Sequence, residues 1–217
     1  MSTTLTNLHT RLSLRLGEDS VPTGNEYTRR TQFFNEGGKS VVRKHYWWFT
    51  EASTTFDSVA DQTSYTSSDG FPSDIRGTAI LELRYSGTLY TPATQTEAFS
   101  MFNSSYSGLP QKYFMFNNTL YPVPVFGDST TDAVAIKYYK VWTELTTGSD
   151  VCIIPDDFSD ILVAFALARV HTISGKRGSA ADAFDEFNEI FKEMSMEQNN
   201  YLFALKSDES GEVALYE

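Results

Sequence analysis

The chain is poor in the residues from which most catalytic and metal sites are built. Its 217 residues include one cysteine, Cys152, and three histidines, His9, His45 and His171. A single cysteine excludes an internal disulfide framework and a cysteine-based zinc site. Cys152 lies in the apolar run Val151-Cys152-Ile153-Ile154 and reads as a small core residue. No two histidines stand at ligand spacing, so no shared metal site is expected. Phosphate-cradling glycine motifs and a G-x-S-x-G nucleophile elbow are missing. Cys152 with His171 lacks any oxyanion motif nearby, and Asp156-Asp157-x-x-Asp160 is better explained as an acidic helix start than as a cation site. The expectation is a protein that is not an enzyme and takes no cofactor.

Basic residues are also in deficit. The 17 Lys+Arg face 28 Asp+Glu, a net charge of −11 at pH 7. Sequence-specific nucleic-acid binding is disfavoured by that balance. No apolar run approaches the roughly 20 residues of a membrane-spanning helix. Met1-Ser2-Thr3-Thr4-Leu5 has neither the basic start nor the apolar stretch of a signal peptide, so no membrane partner is expected.

Aromatics, by contrast, are abundant: 16 Phe and 12 Tyr. They point to large contact surfaces or compact β structure. The charge is unevenly spread. Residues 1–50 carry seven basic and four acidic residues, whereas residues 151–217 carry five and thirteen. A basic beginning and an acidic end can attract each other between neighbouring copies.

Three zones follow along the chain. In the first, Leu5, Leu8, Leu12 and Leu16 recur at helical spacing, with Gly17 as the stop. Thr23 and Glu26 have capping-box spacing. Tyr27, Phe34, Val41 and Trp48 form a stripe at seven-residue intervals, interrupted by Gly37-Gly38, which suits close approach of another helix or a kink. The second zone is rich in turn signals. Residues 79–85 alternate as a half-buried strand and turn at Ser86-Gly87; residues 112–116 and 119–121 form a hairpin about Asn117-Asn118; residues 133–139 read as a further strand. Pro122 and Pro124 confine their strand to an edge, and residues 94–102 read as a short helix. In the third zone, Pro155-Asp156-Asp157 opens a helix striped by Phe158, Ile161, Leu162, Phe165 and Ala168. Gly175-Lys176-Arg177-Gly178 breaks it, Ser179 and Asp182 resemble a new cap, and Phe184, Phe187, Phe191 and Met194 line the last helix.

These zones predict an α+β fold: an antiparallel four-helix bundle with an inserted small antiparallel β-sheet or barrel. Residues 1–50 supply the N-terminal helices, 51–150 the β-rich insertion, 151–206 the C-terminal helices, and 207–217 a flexible docking tail.

Five segments, in order, carry a family likeness: Val42-Arg43-Lys44-His45-Tyr46-Trp47-Trp48-Phe49; Val59-Ala60-Asp61-Gln62-Thr63-Ser64-Tyr65; Phe71-Pro72-Ser73-Asp74; Gly108-Leu109-Pro110-Gln111-Lys112-Tyr113 with Leu120-Tyr121-Pro122-Val123-Pro124; and Ile154-Pro155-Asp156-Asp157-Phe158. Together they span roughly residues 25–200 and resemble the head-to-tail adaptor (connector) proteins of tailed bacteriophages, the tail tubular protein A-like family. Ser67-Ser68-Asp69-Gly70 departs from the family pattern as a longer polar turn. The resemblance implies a structural virion protein of the phage neck or tail, assembled in the host cytoplasm. It implies a homo-oligomeric ring of about twelve copies between the portal protein and a distal tail protein (nozzle, stopper or tail tube), with double-stranded DNA passing through the lumen without sequence specificity. Within that picture Arg29, Arg30, Arg43 and Lys44 are expected to meet Asp185, Glu186, Glu189 and Glu193 of the next copy. Val213, Leu215 and Tyr216 are expected to dock on the portal, and Trp47 and Trp48 to seal the junction of helix and sheet. The alternatives are another tail ring, a stopper or tail-completion protein, and a carbohydrate- or receptor-binding module that stacks sugars on Tyr85, Tyr90, Tyr106, Tyr113 and Tyr121.

Overall fold

A computed structural model of the chain describes residues 2–102, 107–108 and 111–210, with side chains described for 2–98 and 111–203. The chain divides into two units: Met1–Phe49 with Trp142–Glu217, and Thr50–Val141.

The first unit begins with α1 (Leu5–Leu16) and α2 (Asn25–Lys44). Thr4 caps α1 through its side chain, and Gly17 ends it in the left-handed conformation at φ 72°. The capping box read at Thr23 and Glu26 does not form: Gly24 is the N-cap of α2 and no side chain bonds there. Instead Glu26 reaches along the helix to Arg29 and Arg30. α2 runs unbroken through Gly37-Gly38. A methyl group added at Gly37 would lie 3.1 Å from the Phe165 ring, and one at Gly38 would lie 2.4 Å from Trp142. Close approach, not a kink, explains the pair.

Farther along are α4 (Asp160–Ile173), preceded by a 3₁₀ turn over Asp156–Phe158, and α5 (Arg177–Ser210). Every residue from Ile161 to Ala166 is buried, so α4 is enclosed on all sides rather than along one stripe. It packs against α1, α2 and α5. Ser179 falls inside α5 rather than capping it, and α5 runs four residues into the segment read as a tail.

The second unit carries α3 (Gln95–Phe102), where a short helix was expected, and strands β1 (Glu51–Ser58), β2 (Ile75–Tyr85), β3 (Thr88–Pro92), β4 (Ser107–Gly108), β5 (Lys112–Phe116), β6 (Thr119–Val123), β7 (Val125–Phe126) and β8 (Thr130–Lys140). Six of them form one sheet in the order β1-β8-β2-β3-β5-β6, and β4 pairs with β7 in a two-stranded ladder. Both predicted hairpins form. Ser86 and Gly87 (φ 47° and 83°) and Asn117 and Asn118 (φ 49° and 55°) take the positive φ values that two-residue turns require. In β2 the register slips between Ile80 and Glu82, so Leu83 and Tyr85 face the core while Leu81 is 45% exposed.

Two expectations are corrected here. The chain is α+β, with five α-helices and a six-stranded sheet among the described residues, but it does not form a four-helix bundle. A bundle needs helices of comparable length, each presenting one apolar stripe to a shared axis. Here α1 has 12 residues, α4 has 14 and α5 has 34, α4 is apolar all round, and strands separate α2, α3 and α4 along the chain. The sheet is neither purely antiparallel nor a closed barrel: β3 and β5 run parallel, and the strand order leaves β1 and β6 as edges.

Candidate assembly surfaces

On α2, Arg29, Arg43 and Lys44 are exposed. Arg29 pairs with Glu26, and the Lys44 ammonium sits 4.6 Å from the Phe191 ring centroid. Arg30 differs. It is 3% exposed, and its guanidinium donates to both Glu18 oxygens (2.6 and 2.8 Å), to Glu26 (2.9 Å) and to Ser13 (3.2 Å). The hydrogen bonds from Arg30 hold the Glu18 carboxyl below its usual range. Burial opposes ionisation of Glu26, but the bonds from Arg30 and Arg29 outweigh it. Arg30 is thus a buried clamp between α1, α2 and the turn after α1.

On α5, Asp185, Glu189 and Glu193 are exposed. Glu186 is half-buried and pairs with Arg15 of α1 at 2.7 Å. Trp47 is fully buried, donates from Nε1 to the Val41 carbonyl at 2.9 Å, and lies stacked 5.6 Å from the Phe49 ring. Trp48 is half-buried, and its backbone N–H donates to Gln198 at 2.9 Å. Both tryptophans therefore make these contacts within the helical unit. Val213, Leu215 and Tyr216 lie outside the described residues.

The chemistry set aside on sequence grounds has structural occupations. His9 is fully buried, with Nε2 2.9 Å from Thr31 Oγ1, and burial together with the Arg30 charge lowers its pKa to about 4. His45 lies over Phe191 at 5.7 Å. Cys152 is buried, and burial pushes its thiol up to about 11. Asp156 accepts from the Thr3 backbone N–H at 2.6 Å, and Asp160 pairs with Arg11 at 3.2 Å. Among the described residues no group of three or more His, Cys, Asp or Glu side chains is placed to hold a metal ion, and no helix is long and apolar enough to cross a membrane. Of the tyrosines offered for sugar stacking, Tyr85, Tyr90 and Tyr113 are buried in the sheet core and Tyr121 is half-buried; Tyr106 lies outside the described residues. Rings inside a core form no stacking platform.

Sequence reasoning missed the commitments of Arg30 and Glu186. The i,i+4 spacing of Glu26 and Arg30 was a legible signal for the first. The Arg15–Glu186 pair joins residues far apart in sequence, and nothing local announces it.

No curated protein matches the chain significantly. A family model described as the SU10 adaptor protein matches residues 3–207. With a match over nearly its whole length, the chain belongs to the SU10 adaptor protein family, and it is a structural phage adaptor and a component of the virion.

Proposed function

We propose that the chain is a head-to-tail connector of the tail tubular protein A type, which assembles in the host cytoplasm into a ring of about twelve copies below the portal. It works by assembly and not by catalysis. Its lumen passes double-stranded DNA without sequence specificity, and its far side receives a distal tail protein. One observation carries the reading: the helical unit displays exposed cations on α2 (Arg29, Arg43, Lys44) and exposed acids on α5 (Asp185, Glu189, Glu193). Two unlike surfaces on different helices are what a ring needs, because each copy meets two neighbours through different faces. The contact rests on these six exposed residues; Arg30 is buried, and Glu186 is half-buried against Arg15. Val213, Leu215 and Tyr216 dock on the portal.

The test is mass. The purified chain is measured alone and after mixing with the portal of its phage. A closed ring of portal-matched stoichiometry supports the reading, and a chain that stays monomeric and ignores the portal sinks it. Reversing Glu189 and Glu193 to Lys is expected to abolish the ring, and reversing Arg43 and Lys44 to Glu in the same chain to restore it. Removing residues 211–217, which leaves α5 whole, is expected to weaken portal binding while the far-ultraviolet circular dichroism stays unchanged.

A further inference from the structure

Two apolar features of α5 are left open by packing among the described residues. Near its start, α4 and α5 leave a groove of about 600 Å³ lined by Phe165, Ala168, Thr172, Ala180, Ala181 and Phe184. Phe184 is 48% exposed. About 18–28 Å farther along, at a rise of roughly 1.5 Å per residue, Met196, Leu202 and Phe203 are 55%, 40% and 54% exposed. Met196 and Phe203 lie about two turns apart on one side of the helix and form a ridge. That ridge faces away from the buried Phe187 and Met194, because Met196 lies roughly 200° around the helix from Met194.

One feature is concave and the other convex, and a single continuous helix separates them. A helix cannot fold back to place its own ridge in its own groove, so any ridge in the groove comes from another molecule. The charges match this arrangement. Residues 161–181 contain Arg169, Lys176 and Arg177 and no acidic residue. Arg169 lines the groove and also pairs with Glu36, while Lys176 and Arg177 make no ion pair among the described residues. Asp185 is the acid in the lining. Around the ridge the balance reverses: Glu193 and Glu197 outnumber Lys192.

We propose that the Met196–Phe203 ridge of one copy seats in the α4–α5 groove of its neighbour, with the acidic flank of the ridge against the cationic rim. This inference rests on the ring reading above and names a second, apolar part of its interface. The contact is heterologous: each copy gives a ridge to one neighbour and offers a groove to the other. Burying large apolar side chains at the centre of such a contact contributes more to its affinity than exposed charge pairs at the rim.

Ala181→Trp fills the groove and Phe203→Glu charges the ridge. Both positions are exposed, so circular dichroism is expected to stay unchanged. Each variant is expected to lower the ring fraction by about tenfold or more, read by native mass spectrometry at a concentration, and with portal if required, where the unaltered chain is assembled. Chains carrying Ala181→Cys and Phe203→Cys, mixed and oxidised, are expected to cross-link to each other, while neither cross-links alone. Cys152 is 6% exposed and contributes little background. Normal rings from both variants, or intact mixed rings without a cross-link, overturn this inference and leave the ring reading standing. Loss of portal binding with self-association unchanged makes the ridge a portal contact and also overturns it. An unaltered chain that is monomeric with and without portal overturns both.

Discussion

The two units bury aromatic rings in different ways. In the helical unit Phe34 and Phe165 sit among leucines and isoleucines and are held by shape, and Trp47 adds a single Nε1 bond to the Val41 carbonyl. The sheet unit builds its core around five tyrosines, Tyr65, Tyr85, Tyr90, Tyr113 and Tyr138, with the hydroxyls of Tyr65 and Tyr138 bonded to Val59 and Asp74. A core held by volume should respond strongly to lost or added atoms, and one anchored by hydroxyls near water should respond mildly to each loss. The molecule supplies its own reporter for this comparison. All three tryptophans, Trp47, Trp48 and Trp142, belong to the helical unit, so indole fluorescence follows that unit alone.

The largest effect is expected from Trp47→Ala. It deletes a fully buried indole that packs against Trp48, Phe49 and Phe191. A loss of about 3–5 kcal/mol is expected in urea denaturation followed by the remaining tryptophans. A loss below about 1 kcal/mol would break the claim that volume holds this unit.

Next comes an acid sensitivity of the helical unit between pH 6.5 and 4.5. The His9 ring stacks on Tyr27 at 3.8 Å, and its Nδ1 has no hydrogen-bond partner among the described residues. Burial, then the Arg30 charge, lowers its pKa from 6.5 to about 4. Above pH 6.5 the folded and unfolded chains both hold it neutral. As pH falls below 6.5 the unfolded chain takes up a proton that the folded chain refuses until about pH 4. Stability present above pH 6.5 is therefore lost progressively down to about pH 4, on the order of 3 kcal/mol in all. His9→Phe keeps a flat ring on Tyr27 and is expected to flatten this slope between pH 6.5 and 4.5. Glu97, held down to about 2 first by Lys112 and then by Thr94, acts in the window below 4.5. An unchanged slope in His9→Phe would remove His9 as the cause.

Gly38→Ala is expected to cost about 1–3 kcal/mol, although alanine favours a helix by about 1 kcal/mol over glycine. The added carbon would meet Trp142, which is held by its Nε1 bond to Asn35 at 3.0 Å and has little room to yield. A gain in stability would mean that the α2–Trp142 contact is looser than its geometry.

Local signals in the sequence translated well into local structure. Gly17, Ser86-Gly87 and Asn117-Asn118 took the backbone conformations their residue types favour. Gly37-Gly38 implied a close approach but could not name Trp142, more than a hundred residues away. β1 went unread because Glu-Ala-Ser-Thr-Thr-Phe-Asp-Ser offers a single large apolar residue, and its strand state comes from pairing with β8. The expectation of a bundle fails for a related reason. Ile161, Leu162 and Phe165 do form a stripe, but Val163, Ala164 and Ala166 are buried as well, and that composition marks a helix enclosed by neighbours. Among the site residues, charge type was legible and availability was not: Arg29 and Arg30 adjoin in sequence, yet one is exposed and the other is sealed into a clamp.

The smallest effect belongs to the sheet unit. Tyr65 is fully buried, and its hydroxyl accepts from the Val59 N–H at 2.8 Å and donates to the Val59 carbonyl at 3.1 Å. One oxygen thus ties the loop after β1 to the core. Tyr65→Phe removes that tie and keeps the ring against Phe56 and Phe126. Val59 is 43% exposed, so water can take over its backbone groups, and no deeply buried polar atom is stranded. The expected cost is about 1 kcal/mol, with faster amide exchange confined to residues 59–65 and the indole-reported transition unmoved. A cost near that of Trp47→Ala would mean that the hydroxyl organises the whole sheet core, and the contrast between the two units would then be one of degree.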